Sequence, residues 1–478
     1  MIGLTRTRSI HLGEALSVQG SHAWRGNSAV FDEDNLVSHA GLVPLMGLAE
    51  QAGLSALLDE HVRFTSERVR SGAANATPKL TSIIAGMAAG ADSIDDLDVI
   101  RAGGTKKLFH GVYACATLGI LLREFTYGHV RQLGAVLRRF LVALAQRTPL
   151  LPGIADRAYI DIDSLLRPVY GKAKQGASFG HTKIQGKSIL RRGLSPLAVT
   201  ISTDQAAAVL AGVRLRAGRA GSSRGAASMV TEAINTAIEA GAAPQNIVVR
   251  GDSAYCGGKI IAVVVKAGAT FSFAIARNPA VDAAIASIPD DAFVPVQYPG
   301  AVEDPDTGEL ISDAQVSEVE YTAFADTPYE ITAWLVVRRV LDANTQDPLF
   351  PVWRYHPFFT NSTEPVTQAD ITHRAHAICE TVWSDLIDGP WAHQPSGSIN
   401  ANAAWAVLAA LTHNLLRAAG ALTGTARYAV ARGATLRTHL VNVPARFARP
   451  QRRPMLHLPR HWPRADAWLA LWRAVFGT

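Results

Sequence analysis

The chain has 478 residues, 48% of them hydrophobic and 7% aromatic, which excludes a disordered chain and provides for two or three folded regions. Its 46 Lys and Arg against 40 Asp and Glu leave a formal charge of +6, a balance that suits a polyanionic partner without establishing one. Three scattered cysteines, Cys115, Cys256 and Cys379, exclude a disulfide framework and a Cys-x-x-Cys zinc site, and point to a reducing compartment.

Residues 1–150 predict a helical N-terminal region. In Leu42–Leu58 leucines and alanines recur at three- and four-residue steps, with a break at Gly53. Thr117–Leu144 has a leucine-rich pattern interleaved with Arg123, His129, Arg131, Arg138 and Arg139, either a basic face for DNA or a bundle with solvated arginines. From Arg157 strands and helices alternate. Ala158-Tyr-Ile-Asp-Ile-Asp163 reads as a strand with Tyr159, Asp161 and Asp163 on one face. Pro196–Ser202 reads as another strand, and Met229, Val230, Ala233, Ile234, Ala237 and Ile238 give an amphipathic helix closed by Gly241. A strand ending at Asp252, a helix over Gly258–Ala267 and a strand over Ala269–Ala276 follow. Residues 151–277 thus predict an α/β fold, a mixed or parallel sheet with helices on its faces.

Residues 278–362 read as a β-rich insertion, with strand-like runs at Val294–Tyr298, Val316–Phe324, Tyr329–Val340 and Phe350–Thr360 between turn signals. Helix returns over residues 363–425. Ile371, Ala375, Ile378, Val382 and Leu386 form an expected buried stripe, His373, His376 and Glu380 share a different face, and a second apolar helix covers Asn400–Ala419. Residues 426–478 form a basic tail, with Arg446, Arg449, Arg452, Arg453, Arg460 and Arg464 among prolines and tryptophans, trailing across DNA or solvated. No signal-peptide pattern opens the sequence, and apolar runs such as Ile260–Val265 fall short of the roughly 20 residues that cross a bilayer, so a soluble, intracellular protein is expected.

Asp163 and Asp252 at strand ends and Glu380 on a helix make up what a two-metal phosphoryl-transfer site requires: carboxylates that hold two divalent cations on either side of a phosphodiester. Asp161, on the same strand face as Asp163, is the rival first acid. Lys172, Lys174, His181, Lys183, Lys187, Arg191 and Arg192 make a basic hairpin after Asp163, suited to phosphate contact or to solvent. Arg214, Arg216, Arg219 and Arg224 in a Gly/Ser-rich loop are similar, and no Lys-Ser/Thr follows there in the frame of an ATP-binding loop. His373-x-x-His376 with Glu380 is a weaker zinc pattern than His-Glu-x-x-His, and Cys256 and Cys379 read as small buried residues.

Several segments in order resemble the DDE transposases of bacterial insertion sequences, specifically the insertion-sequence thirteen-eighty family. They are Ala158-Tyr-Ile-Asp-Ile-Asp-Ser164, Pro168-Val-Tyr-Gly-Lys172 with Gly176-Ala-Ser-Phe-Gly180, Val249-Arg-Gly-Asp-Ser-Ala-Tyr255, His373-Arg-Ala-His-Ala-Ile-Cys-Glu380 and Gly389-Pro-Trp-Ala-His-Gln-Pro-Ser-Gly397. The resemblance implies a ribonuclease H-like catalytic core, its first part in residues 151–277 and its C-terminal helices in 363–425, with the β-rich insertion between. It implies that Asp163, Asp252 and Glu380 bind two Mg²⁺ ions, for which Mn²⁺ substitutes, and that the chain cuts and joins double-stranded DNA. The DNA would be the terminal inverted repeats of an element and its target, bound by a homodimer in the bacterial cytoplasm, at the nucleoid. Asp163 is preferred to Asp161 because Asp163-Ser-Leu165 lies in frame with the family's Asp-x-Thr, Leu165 replacing the Thr. Related transposases often carry Tyr and Arg before the Glu and a cation after it, where this chain has His373, His376 and Ile387. His373 and His376 are then the expected phosphate donors.

Overall fold

The N-terminal helices form where the leucine and alanine spacing predicts them. In the computed structural model, which describes residues 16–18, 22–24, 29–64, 72–171, 173–184, 187–296, 314–341 and 352–477, helix α1 spans Leu42–Gln51 and α2 Leu54–His61. Gly53 between them has a φ of 77°, a left-handed conformation open to a residue without Cβ. Helix α3 (Ala76–Ala89) follows, and the arginine-rich helix divides into α4 (Cys115–Arg123) and α5 (Tyr127–Arg147). The division falls at Thr126, which caps α5. Its side chain accepts from the His129 amide while the His129 ring accepts from the Thr126 amide.

The strands flanking the acids are β1 (Ala158–Ser164), β2 (Ser178–Ile184), β3 (Lys187–Thr203), β4 (Ala206–Ala217), β5 (Ile247–Gly251) and β6 (Thr270–Ala274). Further on come β7 (Ala314–Ala323), β8 (Ile331–Leu341) and β9 (Trp353–Thr360). All belong to one mixed sheet in the order β7-β8-β9-β6-β5-β1-β3, with β4 and β2 also paired to β3. β1 runs parallel to β5, and β5 to β6, while β9 pairs antiparallel with β6. β7, β8 and β9, from within the β-rich insertion expected over residues 278–362, therefore extend the main sheet. Residues 297–298 and 350–351 of the expected strand runs lie outside the described residues.

The remaining main helices are α6 (Ala226–Glu239), α7 (Gly258–Lys266), α8 (Val366–Arg374), α9 (Ile378–Ile387), α10 (Ile399–Leu422) and α11 (Ala465–Phe476). α8 and α9 were expected as one helix. A tight turn at Ala375–Ala377, with fewer residues per turn than an α-helix, separates them and resets the phase of the buried face. The stripe accordingly holds only after the turn: Val382 and Leu386 are buried as expected, but Ile371 is 41% exposed, and Thr372, His373, Cys379 and Trp383 are buried instead of the earlier stripe positions.

α10 is buried from Ala401 to Ala421, packed against α3, α5 and β4. One hydrophobic core runs from Leu42 to Val475 and joins the N-terminal helices to the sheet. The basic tail is a folded segment and not an extension. Its strand Ala445–Ala448 pairs with Leu36–Val37, and α11 buries Trp468, Leu471 and Val475 beside α1, with Gly47 leaving room for Val475 and Phe476. The apolar stripe of α11 supplies the burial that its arginine-rich, proline-rich approach conceals. Among the described residues no helix is long and apolar enough to cross a membrane.

The Asn414 side chain pins β4 to α10, with His413 Nε2 also 3.4 Å from the Ala208 carbonyl. The pairing of β3 with β4 shifts register between Val199 and Thr200, and beside that shift the Asn414 carboxamide accepts from the Leu210 amide and donates to the Leu210 carbonyl, both at 2.8 Å. Asn414→Leu leaves those buried backbone groups without this partner and should cost about 1–3 kcal/mol for each, read as a lowered urea midpoint.

Candidate active site

Because β1 and β5 are parallel neighbours with Asp161 opposite Arg250 and Ile162 opposite Gly251, the next residues along the two strands are Asp163 and Asp252. The strands pack tightly at Gly251, where a Cβ would meet Ile162 Cγ2 at 3.0 Å and Phe273 Cε1 at 3.2 Å. Asp163 is half-buried, and its Oδ1 accepts from the Ser164 amide at 2.7 Å. Asp252 is exposed, with Oδ1 accepting from the Ala254 amide at 2.9 Å, and Tyr255 folds inward to donate to Ser164 Oγ at 2.7 Å.

Glu380 is exposed in the first turn of α9, and the helix is docked to the sheet on either side of it. Cys379 Sγ lies 3.4 Å from Thr200 Oγ1 of β3. One turn on, Trp383 Nε1 donates to Asp163 Oδ2 at 3.1 Å. The tryptophan is thus a direct link between the helix that carries Glu380 and the acid at the end of β1. Nothing in the residue pattern singled it out; the available signal was its spacing of three residues from Glu380, which puts both on adjacent turns.

Asp252 and Glu380 both act on Asp163. Burial, then the charges of Asp252 and Glu380, push the Asp163 carboxyl up to about 6, while the Ser164 amide and the Trp383 indole pull it down. Burial and the charges of Asp163 and Asp252 raise the Tyr255 hydroxyl. Among the described residues no three His, Cys, Asp or Glu side chains stand close enough to ligate one ion. In donor type and charge the acids nevertheless fit a hard divalent cation: they are carboxylate oxygens, and their mutual repulsion is what such a cation relieves.

Asp161 takes no part in this edge. It is wholly buried and forms a two-pronged ion pair with Arg250, Nε to Oδ1 at 2.7 Å and Nη2 to Oδ2 at 2.8 Å, while Arg250 Nη1 donates to the Thr372 carbonyl at 2.8 Å. Both of its oxygens are committed. Asp161→Ala should lower stability by about 3–5 kcal/mol by leaving Arg250 buried and unpaired, read by urea unfolding.

The expected phosphate contacts are only partly in place. His373 is a core side chain, corrected from a DNA contact. Its ring stacks on Phe358 at 4.2 Å, its Nδ1 lies 2.9 Å from Ser272 Oγ, and burial pulls it down to about 3, so it is neutral. His376 is half-buried and donates from Nδ1 to the His373 carbonyl. Arg374 pairs with Asp370 at 3.0 Å, and Ile387 closes α9. Lys174 is likewise corrected. It donates to the carbonyls of Gln394 and Ser396, and with Arg167, which donates to the Ala392 carbonyl at 2.7 Å, it holds the Gly389–Gly397 loop. Arg191 is exposed on β3, and Arg192 donates to the Gly171 carbonyl at 2.6 Å. Lys172 lies outside the described residues, as do the side chains of Lys183 and Lys187 in the hairpin.

Asp163 sets a pH dependence. Its carboxyl is raised from an ordinary 3.8 to about 6, so the folded chain holds that proton more tightly than the unfolded chain does. The associated stability is fully present below the ordinary value and is lost as pH rises through about 6. Metal-free protein should therefore lose stability across that window, and Asp163→Asn should flatten that part of the curve. Urea midpoints against pH measure it, and identical slopes in the two proteins would show Asp163 unshifted.

The family model for the transposase DDE domain group 1 matches residues 25–476. Comparison with curated proteins finds no match. The family generally uses divalent metal ions. With a match over nearly its whole length, the chain belongs to the transposase DDE domain group 1 family.

Proposed function

We propose that this chain is a DNA transposase of the thirteen-eighty type, which binds the terminal inverted repeats of its element, cuts there and joins the ends to target DNA. The observation that carries this reading is the Trp383–Asp163 hydrogen bond, which docks the helix bearing Glu380 onto the parallel strand pair whose ends are Asp163 and Asp252. Parallel strands at the centre of a mixed sheet, with helices on its faces, support a ribonuclease H-like core.

Asp163, Asp252 and Glu380 would hold two Mg²⁺ ions, or Mn²⁺ in their place, which supply Lewis acidity to in-line displacement at the phosphodiester. The chain's own residues do the positioning. Trp383 and the Ser164 amide fix both oxygens of Asp163, the Ala254 amide orients Asp252, and the α8–α9 turn aims Glu380 independently of the buried His373. Transposition brings two ends together, so a homodimer on DNA in the bacterial cytoplasm is the working form. The N-terminal helices, between Leu42 and Arg147, supply part of the duplex contact.

The test is cleavage of DNA carrying the element's ends, in Mg²⁺, Mn²⁺ or EDTA. Asp163→Asn, Asp252→Asn and Glu380→Gln should each lower cutting by on the order of 10⁴-fold, as far as the triple variant does, because the acids act as a unit. End binding in EDTA should persist. Cutting without joined products would mark a nuclease without strand transfer, and end binding with no cutting in either metal would mark a silent DNA-binding relic or repressor. Normal cutting by Glu380→Gln would remove Glu380 from the site.

A further inference from the structure

Resting on the reading of the chain as a DNA-cutting enzyme, we infer that the cleft between α5, α6 and the carboxyl end of β4 holds the phosphates of a single DNA strand at the same end of the sheet as the acids. The cleft has a volume of about 370 Å³. Arg131 and Arg138 from α5 and Arg214 from β4 converge on one carboxylate, Glu232 of α6, at 2.5, 2.9 and 3.9 Å. Three guanidinium charges against this one carboxylate leave two in excess. Glu239 acts on Arg138 from further off, and Arg139 opposes it. Burial pulls Arg138 and Arg214 below their ordinary value, and the neighbouring Arg131 adds to the effect. An anion entering the cleft relieves this crowding.

The depth of the arginines selects the ligand. The Arg138 and Arg214 side chains are set back at 21% and 19% exposure, out of reach of phosphates on the broad convex surface of a duplex. One strand, narrow and flexible, reaches them. Tyr127 is 65% exposed at the rim and offers a ring for base stacking, and the exposed Arg224 adds a cation to the wall. Cations that track a backbone beside an exposed aromatic ring are what single-strand sites use.

The cleft and the acids share one end of the sheet. β4 and β1 both run antiparallel to β3, with Val213 in line with Asp163 across Ala198, so Arg214 and Arg216, which alternate with Val213, project from the face on which Ser164 lies. Tyr255 bridges the two regions, bonded to Ser164 and acted on by the charges of Asp163, Asp252 and Arg216. Arg216 itself is buried. It donates to the carbonyls of Ser195, Gly221, Ser222 and Arg224 and so shapes the loop that walls the cleft.

The test uses the full chain carrying Glu380→Gln, in EDTA, so that binding is read without cutting. A labelled twelve-nucleotide single strand and a duplex of equal length are titrated across salt concentrations. Arg131→Gln with Arg224→Gln should weaken single-strand binding by roughly 10-fold and lower the log–log salt slope by about 1.4, at ~0.7 for each phosphate no longer neutralised. Glu232→Gln, which removes the competing carboxylate, should tighten it, a gain that a misfolded variant does not give. Unchanged affinity and slope in these variants would overturn the inference. So would equal losses on the duplex, or a free mononucleotide that displaces the strand completely at a concentration equal to the strand's own. A chain that never cuts DNA leaves this binding test intact, and a failed cleft leaves the cleavage results of the three acids standing.

Discussion

The buried ion pair between Asp161 and Arg250 is the constraint on which the rest of the site depends. Each side chain is 2% exposed, and the Tyr159 ring lies 4.1 Å from the guanidinium carbon. Buried pairs of this kind return little net stability once desolvation is counted, so what this one contributes is registry. A slip of one residue between β1 and β5 would strand both charges, and only the observed register sets Asp163 abreast of Asp252. The third arm of Arg250, on the Thr372 carbonyl, extends the same constraint to α8 and hence to the start of α9.

The acidic edge, by contrast, is a place of sustained repulsion. Asp163, Asp252 and Glu380 are held by a tryptophan indole, two backbone amides and helix docking, none of which carries a compensating positive charge. Sites that sacrifice local stability in this way are generally those where chemistry is done. The positive charge is instead gathered behind β4, on the same end of the sheet. A backbone passing from one region to the other meets first a surface that needs cations and then one that needs anions.

Much of this was legible in the residues. The leucine periodicity gave α1, α2 and α5, the alternating apolar runs gave β1, β5, β7, β8 and β9, and Gly53 and Gly241 marked helix ends through their positive φ. The choice between Asp161 and Asp163 was not legible in the strand pattern, since period-two alternation puts both on one face; only the partner across the sheet, Arg250, separates them. The phase change at Ala375–Ala377 was hidden for a related reason. A helical period fitted through residues 371–386 assumes one continuous helix, and one tight turn rotates everything after it. The folding back of the C-terminal segment was obscured because six arginines among prolines suggest solvent, while the burial comes from Trp468, Leu471 and Val475 further on.

The placement of α10 bears on how the chain is made. This helix, which is surrounded on all sides, is formed by residues 399–422, yet α3 and α5 that cover it come from the beginning of the chain. During synthesis the leucine faces of those early helices must wait, unburied, until most of the polypeptide has emerged. Loops closed over such long separations form slowly, and apolar faces exposed in the meantime invite association with other chains. The order of the sequence therefore leaves the apolar faces that meet α10 without their partner until residues 399–422 have emerged.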